Sequence, residues 1–596
     1  MPISVSVSAS ISRSRRRSRS ALAIAVLGTL AVTAACSSSA AKKSGSGDPA
    51  AAGTVAKQAV ALGTAADSQG PDPAVPGAKS GGTVTVLEQS DFSHLDPARV
   101  WSSANQTADL LLTRQLTSYQ QVGNTTKLVG DLATDTGTSS DGKTWTYHLK
   151  DGLKYEDGST ITAQDVKYGI ERTFQKELSG GPQYLQMWLT GKTDYSSTYS
   201  GPWGGQDLPQ IETPDAKTIV FHLASVHADF PFALAMQAYS PLPKDKDTKS
   251  ALDQHPFSSG PYKVDSHDVD KGMVLSRNAY WDPKTDPVRH AYPDGWTFEF
   301  GAQAVDINQR LIAANGPDKD AMTFKVTIGS DLAAQVNSSP DLKARLVNEV
   351  TPFSEFYNIN TRRVTDPKVR QALLEAFPRA QTRQLLGGPV YGDFTNTILS
   401  PVTDGYQNYD LYNVPDTGDP EKAKALLATT SNPHPTIVYA YQDDTAWQQG
   451  AVAIQQALQK AGFNVVTKAI STKNYLDQTQ KVDNQYDLYW GGWGPDWPSA
   501  SSVIPPLFDG RQITDGGGNN SLLNDPAVNA EIDRIEAMTD LKAQDTAWAA
   551  LDKKIMQEVP IIPWVDPRQV SLYGPGLGGV HTGFIGTCYP LDVYVK

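Results

Sequence analysis

The chain has 596 residues, 39% of them apolar and 19% charged, with a formal net charge of −12. That length allows two or three domains with real cores, and the acidic balance argues against nucleic acid as a partner, because its field repels a polyanion. Two cysteines and nine scattered histidines give neither a disulfide framework nor a zinc or haem spacing, so no metal and no cofactor is expected.

Arg13, Arg15, Arg16, Arg17 and Arg19 precede a short apolar run, 21–35, that ends at Cys36. A basic segment, a short apolar stretch and small residues before a cut describe an export signal over 1–35, too short for a comfortable membrane span. Thr33-Ala34-Ala35-Cys36 resembles a bacterial lipobox. Cys36 is therefore expected to be acylated and to become the mature N-terminus, with a plain secretory signal as the alternative. That use of Cys36 leaves Cys588 without an intramolecular partner. Residues 37–80 are mostly Ala, Ser, Gly, Lys and Pro, a composition that cannot bury enough to fold. With Cys36 they are expected to form a flexible tether over 36–80.

From Gly81 the chain reads as a folded body. Thr83-Val84-Thr85-Val86-Leu87 has the β-branched content of a strand, and Trp145 to Leu149 alternate in period two after an Asp141-Gly142 turn. Thr162-Ala163-Gln164-Asp165 has the form of a capping box, with Val166, Ile170 and Phe174 on one helical face. Asp366-Pro367, Asp419-Pro420 and Asp525-Pro526 each set an N-cap Asp before a Pro at the first helical position. Strands and helices alternate through much of 355–500, which implies α/β layers.

The ordered set of segments resembles the family 5 extracytoplasmic solute-binding proteins of ABC importers, the oligopeptide- or dipeptide-binding type. Its strongest part runs from Asp141-Gly142-Lys143-Thr144-Trp145 through Tyr155-Glu156-Asp157-Gly158 to Thr162-Ala163-Gln164-Asp165-Val166. Ser259-Gly260-Pro261-Tyr262, Val369-Arg370-Gln371-Ala372-Leu373, Gly492-Trp493-Gly494-Pro495-Asp496-Trp497 and Val559-Pro560-Ile561-Ile562-Pro563 continue it, so that it covers about 81–596. The resemblance implies an α/β, two-lobed, periplasmic-binding-protein-like fold of type II, with an accessory subdomain and a hinge between the lobes. The implied boundaries are 81–127, 240–350 and 559–596 for the first lobe, 128–239 for the accessory subdomain and 351–558 for the second lobe. It also implies a monomer that closes on a small-molecule ligand, most simply a peptide, and presents it to ABC permease subunits, held to the membrane by its lipid anchor on the outer face.

A strand over 486–490 running into Gly491-Gly492-Trp493-Gly494-Pro495-Asp496-Trp497 is the best candidate for the ligand site, since α/β crevices form at the carboxyl ends of strands. Gly492 and Gly494 would let a ligand approach the backbone, with Trp493 and Trp497 beside it. Asp496 stands where peptide receptors of this family pair an Asp with the ligand's α-amino group; a turn-capping Asp is the other reading. By the same carry-over Tyr475, Tyr184 and Trp564 line the pocket or pack in cores, and Glu88 faces the cleft or a solvated edge. Twelve Trp, Trp188 among them, fit sugar stacking as well as ordinary cores. An oligosaccharide on the same fold is thus the close alternative ligand, with a nickel or metal chelate behind it. A secreted hydrolase is disfavoured: the adjacent Glu156 and Asp157 sit on a turn, and neither Gly-x-Ser-x-Gly nor His-Glu-x-x-His occurs.

Overall fold

The computed structural model describes residues 60–122 and 125–596, all within one unit of the chain, 48–596. The expected export signal over 1–35 and Cys36 lie outside the described residues. No helix among the described residues is long and apolar enough to cross a membrane.

The first lobe is built on a five-stranded sheet ordered Ala321–Met322, Thr83–Leu87, Gly295–Glu299, Gly272–Arg277, Tyr262–Asp268. Thr83–Leu87 runs parallel to both neighbours, with Val84 opposite Trp296 and Val86 opposite both Phe298 and Met322. Val84 and Val86 lie in a core with Trp296, Phe298, Met273 and Leu275. Cys588 is buried in that core with no disulfide partner among the described residues, and burial pushes its thiol up, which disfavours the reactive thiolate.

The accessory subdomain pairs Thr144–His148 with Thr218–His222, and Thr218–His222 with Ile211–Glu212. Helix Ala163–Arg172 packs on it, opened by the reciprocal Thr162–Asp165 capping box, with Val166, Ile170 and Phe174 in the core.

A second sheet, ordered Leu346–Val350, Ile561–Leu572, Ser354–Ile359, Leu488–Trp493, Thr436–Gln442, Asn464–Ile470, begins in the first lobe and forms the centre of the second. Helices Pro367–Ala376, Pro420–Leu427 and Pro526–Glu536 start at the three Asp-Pro pairs. Each Asp carboxylate accepts a first-turn N–H, at 2.9, 2.9 and 2.7 Å.

Two boundaries differ from the sequence reading. The body starts before Gly81: strand Val60–Leu62 pairs in parallel with Thr125–Gly130, and Ser68 and Asp72 are buried. This segment is held by main-chain pairing and polar anchors, such as Gln120 donating to Asp72 at 2.8 Å, which an apolar count does not register. Residues 559–565 belong to the second lobe, because Ile561–Leu572 spans both. Its Ile562, Trp564 and Val565 join a core with Tyr357, whereas Val570 and Leu572 pack with Leu87 and Ile307. Leu346–Val350 lies antiparallel to the far half of this strand and Ser354–Ile359 to its near half, so 351–353 and 566–567 are the two connections between lobes.

Candidate ligand cleft

A cavity of about 660 Å3 lies between the lobes, within the range of ligand pockets. The first lobe contributes His94, Arg99, Trp101 and Asn105; the second contributes Glu355, Asn358 and the continuous run 489–496; Phe353 and Pro567 wall it from the connections. Strand Leu488–Trp493 carries the run to the cleft, paired antiparallel with Ser354–Ile359 so that Glu355 faces Gly492 and Ser354 faces Trp493. Glycine is needed at 494: a Cβ there would stand 2.4 Å from the Phe353 ring.

Asp496 joins three parts of the chain. Its Oδ1 accepts a hydrogen bond from the Trp101 indole of the first lobe at 2.6 Å, and its Oδ2 accepts one from the Tyr184 hydroxyl of the accessory subdomain. Burial pushes the carboxyl up to about 6, against the two donors, which favour the ionised form. Trp101 stands edge-on to Trp493, centroids 6.5 Å apart.

The other sequence-derived candidates fall in different places. Gly492, Trp493, Gly494 and Asp496 line the cavity. Trp497 does not: it is buried in the accessory core, 4.7 Å from the Tyr184 ring and 5.8 Å from that of Trp188. Trp188 itself stacks on His227 at 4.1 Å in that core. Tyr184 reaches the site only through its bond to Asp496. Tyr475 is buried behind the wall, its hydroxyl donating to the Trp490 carbonyl at 3.2 Å. Trp564 is fully buried in the second lobe, 5.1 Å from Tyr391, its indole donating to the Arg379 carbonyl. Glu88 lies away from the cavity, buried beneath the first sheet, where it accepts from Thr323 Oγ1 at 2.9 Å and Phe324 N at 2.6 Å. Large aromatics and a strand-end carboxylate found better partners inside than in the cleft.

Several lining residues were not among the sequence candidates. Glu355 shares a strand face with the fully buried Tyr357 and Ile359, and a charge in that alternation was the available signal. Its Oε2 accepts from the Tyr391 hydroxyl at 2.8 Å and the Trp490 indole at 3.0 Å, and burial pushes the carboxyl up to about 7. Arg99 and His94 both contact the Asp253 carboxylate, His94 at 3.1 Å. Trp101 is 37% exposed, a large aromatic in a polar loop.

Among the described residues one group away from the cleft has metal-ligand chemistry: Asp72, His290 and Asp592, with ligand atoms within 4.8 Å of one another. The two imidazole nitrogens face opposite carboxylates, Nε2 toward Asp72 at 3.6 Å and Nδ1 toward Asp592 at 3.3 Å, and Asp592 also binds His581 at 2.9 Å. Both contacts are ion pairs when His290 is protonated. Burial lowers the His290 pKa, but the bond to Asp592 and the charge of Asp72 raise it on balance.

Residues 127–515 match the family model described as bacterial extracellular solute-binding proteins, family 5, middle. Among curated proteins, the probable D,D-dipeptide-binding periplasmic protein DdpA of Escherichia coli K12 is 24% identical over 479 residues, covering 76% of this chain and 81% of its own. Among solved structures, clavulanic acid biosynthesis oligopeptide binding protein 2 superposes with a TM-score of 0.81 at 30% identity, over 91% of this chain and all of the other. The periplasmic binding protein DppA of Helicobacter pylori, solved with the peptide STSA, shares the fold at a TM-score of 0.69 and 21% identity, over 87% and 99% of the two chains.

Proposed function

The chain belongs to the family 5 bacterial extracellular solute-binding proteins, a family of binding proteins rather than enzymes, and from that premise we propose that it captures short peptides between its lobes and delivers them to an ABC import permease. The observation that carries this reading is Asp496: a half-buried carboxylate at the cavity wall with two neutral donors and no cation among the described residues. A peptide's α-ammonium supplies the missing charge. A hydrogen bond to a charged group of this kind contributes about 1.5–3 kcal/mol. The strand Leu488–Trp493 beside it carries Gly491 and Gly492 just before its last residue, and their main chain borders the cavity, which suits pairing with an extended peptide backbone whatever its side chains. The names of relatives, D,D-dipeptide-binding and oligopeptide-binding, agree with it. Acylation of Cys36 would hold the receptor at the outer face of the membrane, next to its permease.

A second reading rests on the three indoles of the wall, Trp101, Trp490 and Trp493, which offer flat apolar faces to sugar rings. Titration calorimetry with tetraalanine, N-acetyl-tetraalanine and maltotetraose separates the two. Heat from tetraalanine, weakened by acetylation, is expected. Heat from the sugar with none from either peptide would overturn the peptide reading.

A further inference from the structure

We propose that Glu355 is a subsite for a second positive charge on the guest, the guanidinium or ammonium of a basic side chain, so that the preferred cargo is a short peptide containing Arg or Lys. The proposal rests on the peptide reading of the cleft and adds the class of peptide.

Glu355 opens on the cavity beside Gly492, the residue opposite it in the strand pair. A Cβ on Gly492 would stand 3.3 Å from Glu355 Cγ, so glycine leaves room above the carboxylate. Tyr391 and Trp490 both donate to Oε2, which fixes the group's orientation and leaves Oε1 without a hydrogen bond among the described residues. No basic group among the described residues bears on its ionisation. A half-buried carboxylate without a counter-charge is costly to keep, and such groups concentrate at functional sites. The indole of Trp490, itself part of the cavity wall, supplies an aromatic surface for a cation.

The charge inventory of the wall points the same way. Its two bases, Arg99 and His94, are both engaged by Asp253, whereas its two acids, Glu355 and Asp496, have only neutral donors. An electronegative cavity with two separate carboxylates selects a guest with two separate cations. Gly492, opposite Glu355, and Asp496 are four residues apart, at most about 14 Å of chain. A free N-terminus on Asp496 and a basic side chain within the next few residues of an extended peptide span that interval.

The test is titration calorimetry of the wild-type protein and Glu355→Gln with tetraalanine, with tetraalanine carrying one Arg at its second, third or fourth position, and with agmatine, a dication without a peptide backbone. Gln keeps the acceptor for Tyr391 and Trp490 and removes the charge. The expected result is an Arg peptide that binds wild type at least about fivefold more tightly than tetraalanine, with that ratio lost in Glu355→Gln. A smaller gain at every position, or a gain that survives the substitution, overturns the subsite and leaves the peptide reading intact. Agmatine binding that depends on Glu355, with no peptide binding, upholds the subsite and removes the peptide reading. Absence of binding by all probes overturns both.

Discussion

The charge state of single carboxylates decides what the cleft can hold. On the proposed peptide reading a ligand's ammonium would pair with ionised Asp496, whose carboxyl burial pushes up to about 6 against the Trp101 and Tyr184 hydrogen bonds. Its ionised fraction falls about tenfold between pH 7 and pH 5, so calorimetric affinity for tetraalanine should fall by about that factor over the same interval. Asp496→Asn should weaken binding at pH 7 about tenfold or more and flatten the profile; parallel profiles for the two proteins would remove Asp496 from the site. The place of Asp496 at the cavity wall was legible because a glycine-rich strand end preceded it. Glu355 was not, because its role depends on a register with Gly492 and on two donors from distant segments, Tyr391 and Trp490. Trp497 misled for the converse reason: adjacency in sequence to Asp496 places it on the opposite side of the loop, in the accessory core.

Helix starts are written locally, and lobe membership is not. The three Asp-Pro pairs open helices because the capping bond and the fixed proline φ need only neighbouring residues. Asp525→Ala should therefore lower stability by about 1 kcal/mol, read as a shift of the denaturant midpoint. Trp497→Ala should cost about 3–5 kcal/mol, since it empties a contact between the second lobe and the accessory core; equal effects of the two substitutions would contradict the packing described. The strand Ile561–Leu572 could be recognised as β-structure from its residues, but its change of lobe at 566–567 follows from partners more than 200 residues away, such as Val350 and Leu346. Strand Val60–Leu62 escaped notice because its support is main-chain pairing, to which any composition has access.

Across the whole molecule, buried carboxyls set the response to pH. Burial raises Glu355 and Asp566 to about 7 and Asp552 to about 6, so between about pH 4 and 7 these three groups hold more protons in the folded chain than in the unfolded one. That contribution is complete below the unfolded pKa and is lost as pH rises through the folded values. Hydrogen bonding holds Asp141 and Asp157 at about 2, and their contribution is lost as pH falls below about 4. His227, lowered to about 3 by burial, also opposes acidification. The unliganded protein should melt at a higher temperature at pH 5 than at pH 8, checked by calorimetric scans; the reverse order would contradict these environments. Small-angle scattering should show a smaller radius of gyration with a bound peptide than without. Phe353 and Pro567 sit in the two connections and also touch the cavity. On the proposed reading, in which the lobes close on a guest, the fold would work as a calliper whose pivots are in the measuring gap: a bulky guest would prop the jaws from the fulcrum, and jaw angle would become a readout of cargo thickness.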